Sequence, residues 1–176
     1  MALHPFKEIL PRLHPSVYIA AGAQIVGDVE IGEGSSVWFN AVVRGDVNRV
    51  RIGARTNVQD LCILHVTHEH PCALGDEVTV GHHVTLHGAT VRDGCLIGMG
   101  AILLDGVEIG EECLVAAGTL VPPGFQAPPR SLVMGFPAKV VRPLKPDEIP
   151  SGRKGAANYV GYAKAYQEND RGGVRS

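Results

Sequence analysis

Aliphatic residues recur every six positions along most of this chain. They stand at Ile19, Ile25, Ile31, Val37 and Val43, then at Ile52, Val58 and Leu64, then at Leu74, Val80 and Leu86, and at every sixth position from Val91 to Val121. Glycine often follows the aliphatic residue, and a small or β-branched residue usually stands four positions after it. A helix does not tolerate glycine at this frequency, and an alternating strand has a period of two. The hexapeptide period therefore predicts a parallel β-helix in which three hexads make one triangular coil.

The pattern divides the chain into four segments. Residues 1–16, which contain three prolines, form an N-terminal segment, and residues 17–121 form the β-helix. The proline-rich residues 122–152 are expected to be an extended linker. Residues 153–176 are expected to form an amphipathic helix with a tail that frays from residue 169. The predicted fold class is thus an all-β solenoid with one C-terminal α-helix.

Composition and charge argue against several classes of partner. A net charge of −2 provides no basic patch for nucleic acid and no polybasic segment for a membrane. Because no stretch is apolar enough for a signal peptide or a membrane span, a cytoplasmic location is expected. Cys62, Cys95 and Cys113 occupy the small-residue position and are predicted to be buried, reduced thiols, whereas Cys72 is predicted to lie in a loop.

The six-residue period is interrupted at three places. Residues 44–50 add three residues, residues 68–73 add four, and only five residues separate Leu86 from Val91. Loops on a rigid scaffold often carry function, so we expect functional side chains near these interruptions.

Two histidines occupy the same place in consecutive coils. His65 and His87 each follow the aliphatic residue of their hexad, and they are separated by one coil of 18 residues plus the four inserted residues. Their imidazoles are thus predicted to lie one rung apart, where both can bind one metal ion at about 2.0–2.1 Å. A catalytic zinc site generally has three protein ligands and one open position. The third candidate is His82 or His83, on the preceding face, and we expect it to reach the site from an identical subunit of a three-fold assembly.

Several motifs together resemble those of the gamma-class carbonic anhydrases. They are Arg44-Gly45-Asp46, Asn57-Val58-Gln59-Asp60, Leu64-His65, Gly81-His82 followed by His87-Gly88, and the segment from Leu132 to Lys139. The resemblance covers nearly the whole chain and implies a left-handed β-helix that forms a homotrimer with three metal sites at subunit interfaces. It implies that His65 and His87 of one subunit join His82, rather than His83, of the next. Zinc is the implied metal, with iron or cobalt as alternatives.

The implied reaction is the reversible hydration of carbon dioxide to bicarbonate by a metal-bound hydroxide. In this family, Arg44, Asp46 and Asp60 match residues that form ion pairs between subunits, and a purely structural ion pair is the alternative. Gln59 matches the residue that hydrogen-bonds the metal-bound water, and Asn57 matches a polar neighbour in the pocket.

Other positions differ from the fully active prototype. Val47 and His68 stand where that prototype carries glutamates, and the loop after His65 is shorter, so the chain resembles a smaller subclass with variable hydratase activity. His68, Glu69 and His70 are candidates for an alternative proton relay, because imidazole titrates near neutral pH. Tyr159 matches a pocket tyrosine, with packing of the C-terminal helix as the alternative.

Three other functions remain open on the sequence alone. A hexapeptide acyltransferase would use one histidine as a general base and a groove for an acyl carrier. A metal-assisted acyl-thioester hydrolase would use the same metal site. A non-catalytic assembly or binding subunit would keep the trimer without turnover.

Overall fold

A computed structural model describes residues 2–149 and 151–172, which form a parallel β-helix followed by one α-helix. The strands are short, and they are, in chain order, β1 Ala2–His4, β2 Arg12–Leu13, β3 Tyr18–Ile19, β4 Gln24–Ile31, β5 Ser36–Val37, β6 Val42–Ile52, β7 Asn57–Val58, β8 Ile63–His65, β9 Cys72–Leu74, β10 Thr79–Val80, β11 Thr85–His87, β12 Thr90–Val91, β13 Leu96–Ile97, β14 Ile102–Leu103, β15 Glu108–Ile109, β16 Leu114–Val115, β17 Leu120–Val121, β18 Gln126–Ala127, β19 Ser131–Gly135 and β20 Ala138–Pro143. The helix, α1, spans Ser151–Gly172. Within the described residues, no helix is both long and apolar enough to cross a membrane.

Each coil contributes one strand to each of three walls. The first wall contains β1, the start of β4 and of β6, and β8, β11, β14 and β17. The second contains β2, the end of β4 and of β6, and β9, β12, β15 and β18. The third contains β3, β5, β7, β10, β13, β16 and β19, closed by β20. All pairs are parallel except β19 with β20, so the predicted parallel β-helix is confirmed.

The hexad period corresponds to a column of buried side chains inside each wall. In the first wall, Ile25, Val43, Leu64, Leu86 and Leu103 occupy consecutive rungs and are all 0% exposed. Because every rung contributes the same kind of side chain, the core is continuous and narrow. This explains why the sequence contains few aromatic residues.

The coil extends beyond the predicted boundaries of residues 17–121. In the segment 1–16, β1 and β2 pair with β4. In the predicted linker 122–152, β18 pairs with β15 and β19 pairs with β16. The described prolines of these segments lie between the short strands, apart from Pro143 at the end of β20, so they do not interrupt this pairing.

Three local expectations are corrected. The interruption at 44–50 is not a loop, because β6 continues through it beside β4 and a register shift between Gly27 and Val29 absorbs the extra residues. Cys72 does not lie in a loop but begins β9 and is buried, and burial raises its pKa to about 12. The helix begins at residue 151 and continues through residues 169–172 of the predicted frayed tail, whereas residues 173–176 lie outside the described residues.

Helix α1 packs against the third wall. Near its start, the carbonyl oxygen of Gly152 accepts a hydrogen bond of 2.9 Å from the buried hydroxyl of Thr79. Further along, Ala156 and Ala163 are buried, and the ring of Tyr159 lies 5.1 Å from that of Trp38. The helix therefore covers the third wall. From this wall the chain turns a corner into the strands of the first wall that carry the histidines.

A column of charged side chains, which we call the corner column, also holds the helix. Its members are Arg55, Glu77, Glu112 and Arg130, which stand on successive turns at one corner with positive φ, and Gly94 occupies the turn between the two glutamates. Arg153 of α1 fills the space above Gly94 and bonds to both Glu77 and Glu112. The corner column thus alternates in sign along its length, with one member supplied by the helix.

Candidate metal centre

His65 and His87 lie side by side on the first wall. They end β8 and β11 and are directly paired in the parallel register, which confirms the predicted one-rung spacing. His65 Nδ1 lies 3.1 Å from His87 Nε2. Two nitrogens bound to one tetrahedral ion at 2.0–2.1 Å are about 3.4 Å apart. The pair therefore fits a divalent ion that prefers imidazole, such as zinc.

His65, His82 and His87 each have an aspartate partner. His65 Nε2 lies 3.2 Å from Asp46, His82 Nδ1 lies 2.7 Å from Asp60, and His87 Nδ1 lies 2.6 Å from Asp105. Carboxylates that bond the second nitrogen of a metal-binding imidazole fix its orientation and make it a better ligand. Asp105 is absent from the sequence predictions, although its separation of 18 residues from His87, one coil, is a signal that could have indicated it.

Electrostatics favour a neutral His65 beside an ionised Asp46. Burial lowers the pKa of His65, the hydrogen bond to Asp46 raises it, and the positive charge of Arg44 lowers it further, so that the net shift is downward. Burial alone would raise the pKa of Asp46, but hydrogen bonds from His65 and Arg44 hold that pKa below its usual range. A neutral imidazole is the form that binds a metal. Arg44 bonds Asp46 within its own chain here.

His82 lies away from the other two imidazoles. It follows β10 on the third wall, whereas His65 and His87 belong to the first wall. Across the residues that the structure describes, no three His, Cys, Asp or Glu side chains are grouped so that they could hold one ion. His83, the other candidate from spacing, sits at the corner with a φ of +59° and an exposed side chain.

Gln59 and Asn57 belong to a chain of buried hydrogen bonds beneath α1. The amide of Gln59 donates to Asn57 Oδ1 at 3.0 Å, and Asn57 donates to the Thr79 hydroxyl at 3.1 Å. None of the histidines in the described part of the chain hydrogen-bonds with Gln59. Its Oε1 accepts no hydrogen bond from the described side chains, so this atom remains available as an acceptor.

Tyr159 faces a cavity of about 320 Å³ between α1 and the coil. The cavity is lined by Trp38, Phe39, Asp60, Tyr159, Tyr162 and Tyr166. Burial raises the pKa of Tyr159, and the negative charge of Asp60 acts in the same direction. Because Asp60 also bonds His82, this cavity adjoins the third candidate ligand.

The loop with the candidate relay residues is held against the coil. Asn48 donates to the carbonyl oxygens of residues 67 and 68, and the backbone of His70 bonds to Thr67. His68 and Glu69 are exposed. The ring of His70 lies over Gly106, where an added Cβ would be 3.2 Å from its Cε1 atom.

Comparisons with known proteins identify the class first. A family model described as bacterial transferase hexapeptide (six repeats) matches residues 11–45 and 88–123. A solved structure from Bacillus cereus, described as an acetyltransferase, superimposes with a TM-score of 0.93 at 45% identity and covers 95% of this chain and 97% of that one. Fold and motif together define a hexapeptide-repeat β-helix protein.

Curated relatives identify the family within that class. A protein of Geobacillus kaustophilus named carbonic anhydrase is 48% identical over 169 residues, which cover 94% of this chain and 93% of that protein. Gamma carbonic anhydrase 2, mitochondrial, of Arabidopsis thaliana is 41% identical over 168 residues, or 92% of this chain. The chain spans 60% of the length of this plant relative. The chain belongs to the gamma carbonic anhydrase family, within the hexapeptide-repeat proteins.

Proposed function

We propose that this protein catalyses the metal-dependent, reversible hydration of carbon dioxide to bicarbonate at a site shared between subunits. The observation that carries the proposal is the 3.1 Å approach of His65 Nδ1 to His87 Nε2. The pairing puts two nitrogen donors within reach of one ion, and membership of the gamma carbonic anhydrase family indicates the substrate. Zinc is the proposed metal, with iron or cobalt as alternatives.

The proposed third ligand is His82 of a neighbouring subunit in a homotrimer. His82 is exposed enough for such a contact, since its side chain is 40% accessible in the single chain. Large apolar side chains surround this side of the coil, and they are Leu61, Ile63, Met99 and Ile102, with exposures of 46%, 47%, 58% and 37%. An apolar surface of this kind is typical of a subunit contact. Arg44, Asp46 and Asp60 are proposed to form ion pairs at the same subunit contact.

The bound ion would supply a nucleophile by lowering the pKa of water from about 16 to about 7. The residues of the chain perform the remaining tasks. His65, His87 and His82 would hold the ion, and their aspartate partners would orient the rings. Gln59 Oε1 accepts a hydrogen bond from the attacking water and so directs it towards carbon dioxide, with Asn57 fixing the Gln59 amide. Tyr159 closes the pocket from the side of α1.

One proton leaves for each bicarbonate formed, since water and carbon dioxide yield bicarbonate and a proton. His68, Glu69 and His70 are proposed to pass that proton to solvent, because they form the loop beside the first wall. Replacing all three by residues that do not titrate (alanine, asparagine or glutamine) should lower the hydration rate in dilute buffer. The rate should be unchanged in concentrated buffer, because buffer molecules then accept the proton.

Acyl transfer is the second candidate, and the Bacillus cereus structure described as an acetyltransferase favours it. The paired imidazoles are harder to explain under this alternative, because a general base needs one histidine only. Acetyl transfer from acetyl coenzyme A by the metal-free protein would support it. Hydrolysis of acyl-thioesters by the metal-loaded protein would instead support the hydrolase alternative, and a metal-loaded protein inactive in every assay would indicate a binding subunit.

Elemental analysis combined with stopped-flow hydration of carbon dioxide tests the proposal. We expect close to one divalent ion per chain and a hydration rate that falls to background when the ion is removed by chelation. Hydration that persists in fully metal-depleted protein would contradict the proposal.

Mixing two inactive variants tests whether the site is shared. His65→Ala and His82→Ala trimers should each lack complete sites, whereas mixed trimers regain one, so random mixing should restore about a quarter of the sites. His65→Ala mixed with His87→Ala is the matched control, because both ligands come from the same subunit and no site should be restored. Equal metal content in the two mixtures, after mass spectrometry has verified mixed trimers, would refute sharing.

A further inference from the structure

We propose that Asp105 is the positioning residue for His87, and this inference rests on the proposed metal site. Asp105 follows β14, one coil beyond His87, and its Oδ1 lies 2.6 Å from His87 Nδ1. It is the shortest of the three histidine–aspartate contacts. Among the described residues, the Asp105 side chain hydrogen-bonds to His87 alone.

The contact determines which nitrogen of His87 carries the proton. An ionised carboxylate only accepts hydrogen bonds, so Nδ1 must be the protonated nitrogen when it bonds Asp105. The lone pair is then on Nε2, which is the nitrogen that faces His65. Without Asp105 both tautomers of a neutral imidazole become accessible, and in one of them a proton replaces the lone pair needed by the ion.

The surroundings of Asp105 are shaped to hold its carboxylate in place. Gly88, beside His87, has a φ of +60°, and an added Cβ there would lie 3.1 Å from Asp105 Oδ1 and 2.7 Å from the Cβ of His70. The backbone is fixed on both sides, because Gly106 donates to the Gly88 carbonyl at 2.9 Å and residue 124 donates to the Asp105 carbonyl at 2.8 Å. The corner thus leaves room for a carboxylate beside Nδ1 of His87, the nitrogen that does not face His65.

Asp105 has simpler surroundings than the other two aspartates, because its side chain bonds His87 alone among the described residues and lines no cavity beside α1. Asp46 also bonds Arg44 and the backbone of Val47, and Asp60 also lines the cavity beneath α1. Replacing either of those would change several contacts at once. Asp105 can therefore be altered with less effect on the rest of the structure, which makes the role testable.

Metal affinity, measured by competition with a chelator, is the first readout. Asp105→Asn and Asp105→Ala should weaken binding of zinc by about 10- to 100-fold, the usual effect of losing an outer carboxylate. Glu111→Gln is the matched control, because it also removes one acidic charge from a turn of the coil, and Glu111 is exposed and lies away from the histidines. Affinity equal to that of Glu111→Gln in both Asp105 variants would overturn the proposal.

Nitrogen NMR of the metal-free protein is the second readout, and a merely structural role would not change it. In the wild type, His87 should be a single tautomer with the proton on Nδ1, and Asp105→Ala should shift it towards a mixture. A wild-type His87 protonated on Nε2 would overturn the proposal, whether or not the variants fold. If the wild type bound no metal at all, the proposed function would fail, whereas the tautomer would still report on Asp105.

Discussion

Gly152, in the first turn of α1, lies against the backbone of the third wall with no room for a side chain. An added Cβ would be 2.1 Å from the carbonyl oxygen of Gly94 and 2.6 Å from the carbonyl carbon of Cys95. Backbone atoms cannot rotate away as a flexible side chain can. Gly152→Ala must therefore displace the start of the helix by about 1 Å or more to reach an ordinary van der Waals distance.

The displacement removes contacts whose cost can be estimated. The buried hydroxyl of Thr79 loses its 2.9 Å hydrogen bond to Gly152, at about 1–3 kcal/mol. The exposed ion pairs of Arg153 contribute at most about 1 kcal/mol, because solvent screens them. We therefore expect Gly152→Ala to lower the free energy of unfolding by about 1–4 kcal/mol.

Gly161→Ala is the control, since the same substitution in the same helix meets no atom within 4 Å. It should stabilise by about 0.5–1 kcal/mol, because alanine favours a helix over glycine. Trp38, the only tryptophan, packs on Tyr159, so its fluorescence during urea denaturation reports on docking of α1. Both variants must be measured at one protein concentration, because assembly shifts apparent stability. Equal stability of the two variants would refute the predicted clash.

Two further substitutions test the core and the charge balance. Leu86→Ala, between Leu64 and Leu103 in adjacent rungs, should lower the free energy of unfolding in urea by about 2–5 kcal/mol, and a loss below about 1 kcal/mol would contradict a continuous core. The hydrogen bond from Arg142 lowers the pKa of Glu148 from 4.5 to about 2. Glu148 therefore stabilises the fold above pH 4.5 and loses that effect as the pH falls towards 2. Glu148→Gln should lower Tm at pH 6 but not near pH 2, and equal Tm values at pH 6 would contradict this.

The sequence predicts the coil well where its period is regular. The rungs of the three walls follow from the aliphatic spacing, and the pairing of His65 with His87 follows from counting residues across the insertion. The period fails where β4 and β6 run through a corner without a break. Their backbones continue the parallel ladder, and an extended strand with a register shift has no signature in hexad counting. Cys72 departs from its predicted place in a loop because β9 begins two residues before Leu74, inside the inserted segment 68–73.

Spacing places residues at the same corner or wall of the coil, but it does not determine which of their side chains bond one another. Asp105 reaches His87 from the next coil, and Arg153 reaches the coil from a helix far along the chain. Both contacts join residues from different repeats or segments, so neither appears as a local motif. Where the helix packs likewise determines that α1 covers Gln59 of the coil and that Tyr159 of the helix faces the cavity.

The corner column has a consequence for how the helix finds its place on the wall. Each coil offers nearly the same surface, so burial of small side chains alone would let α1 slide by one repeat of the stack. Arg153 lies at the level of Gly94, between the carboxylates of Glu77 and Glu112, and the levels beyond these two glutamates carry Arg55 and Arg130. A slip by one repeat would move Arg153 to the level of Glu77 or Glu112, with Arg55 or Arg130 in the adjacent level, so the order of charges sets the height at which the helix docks.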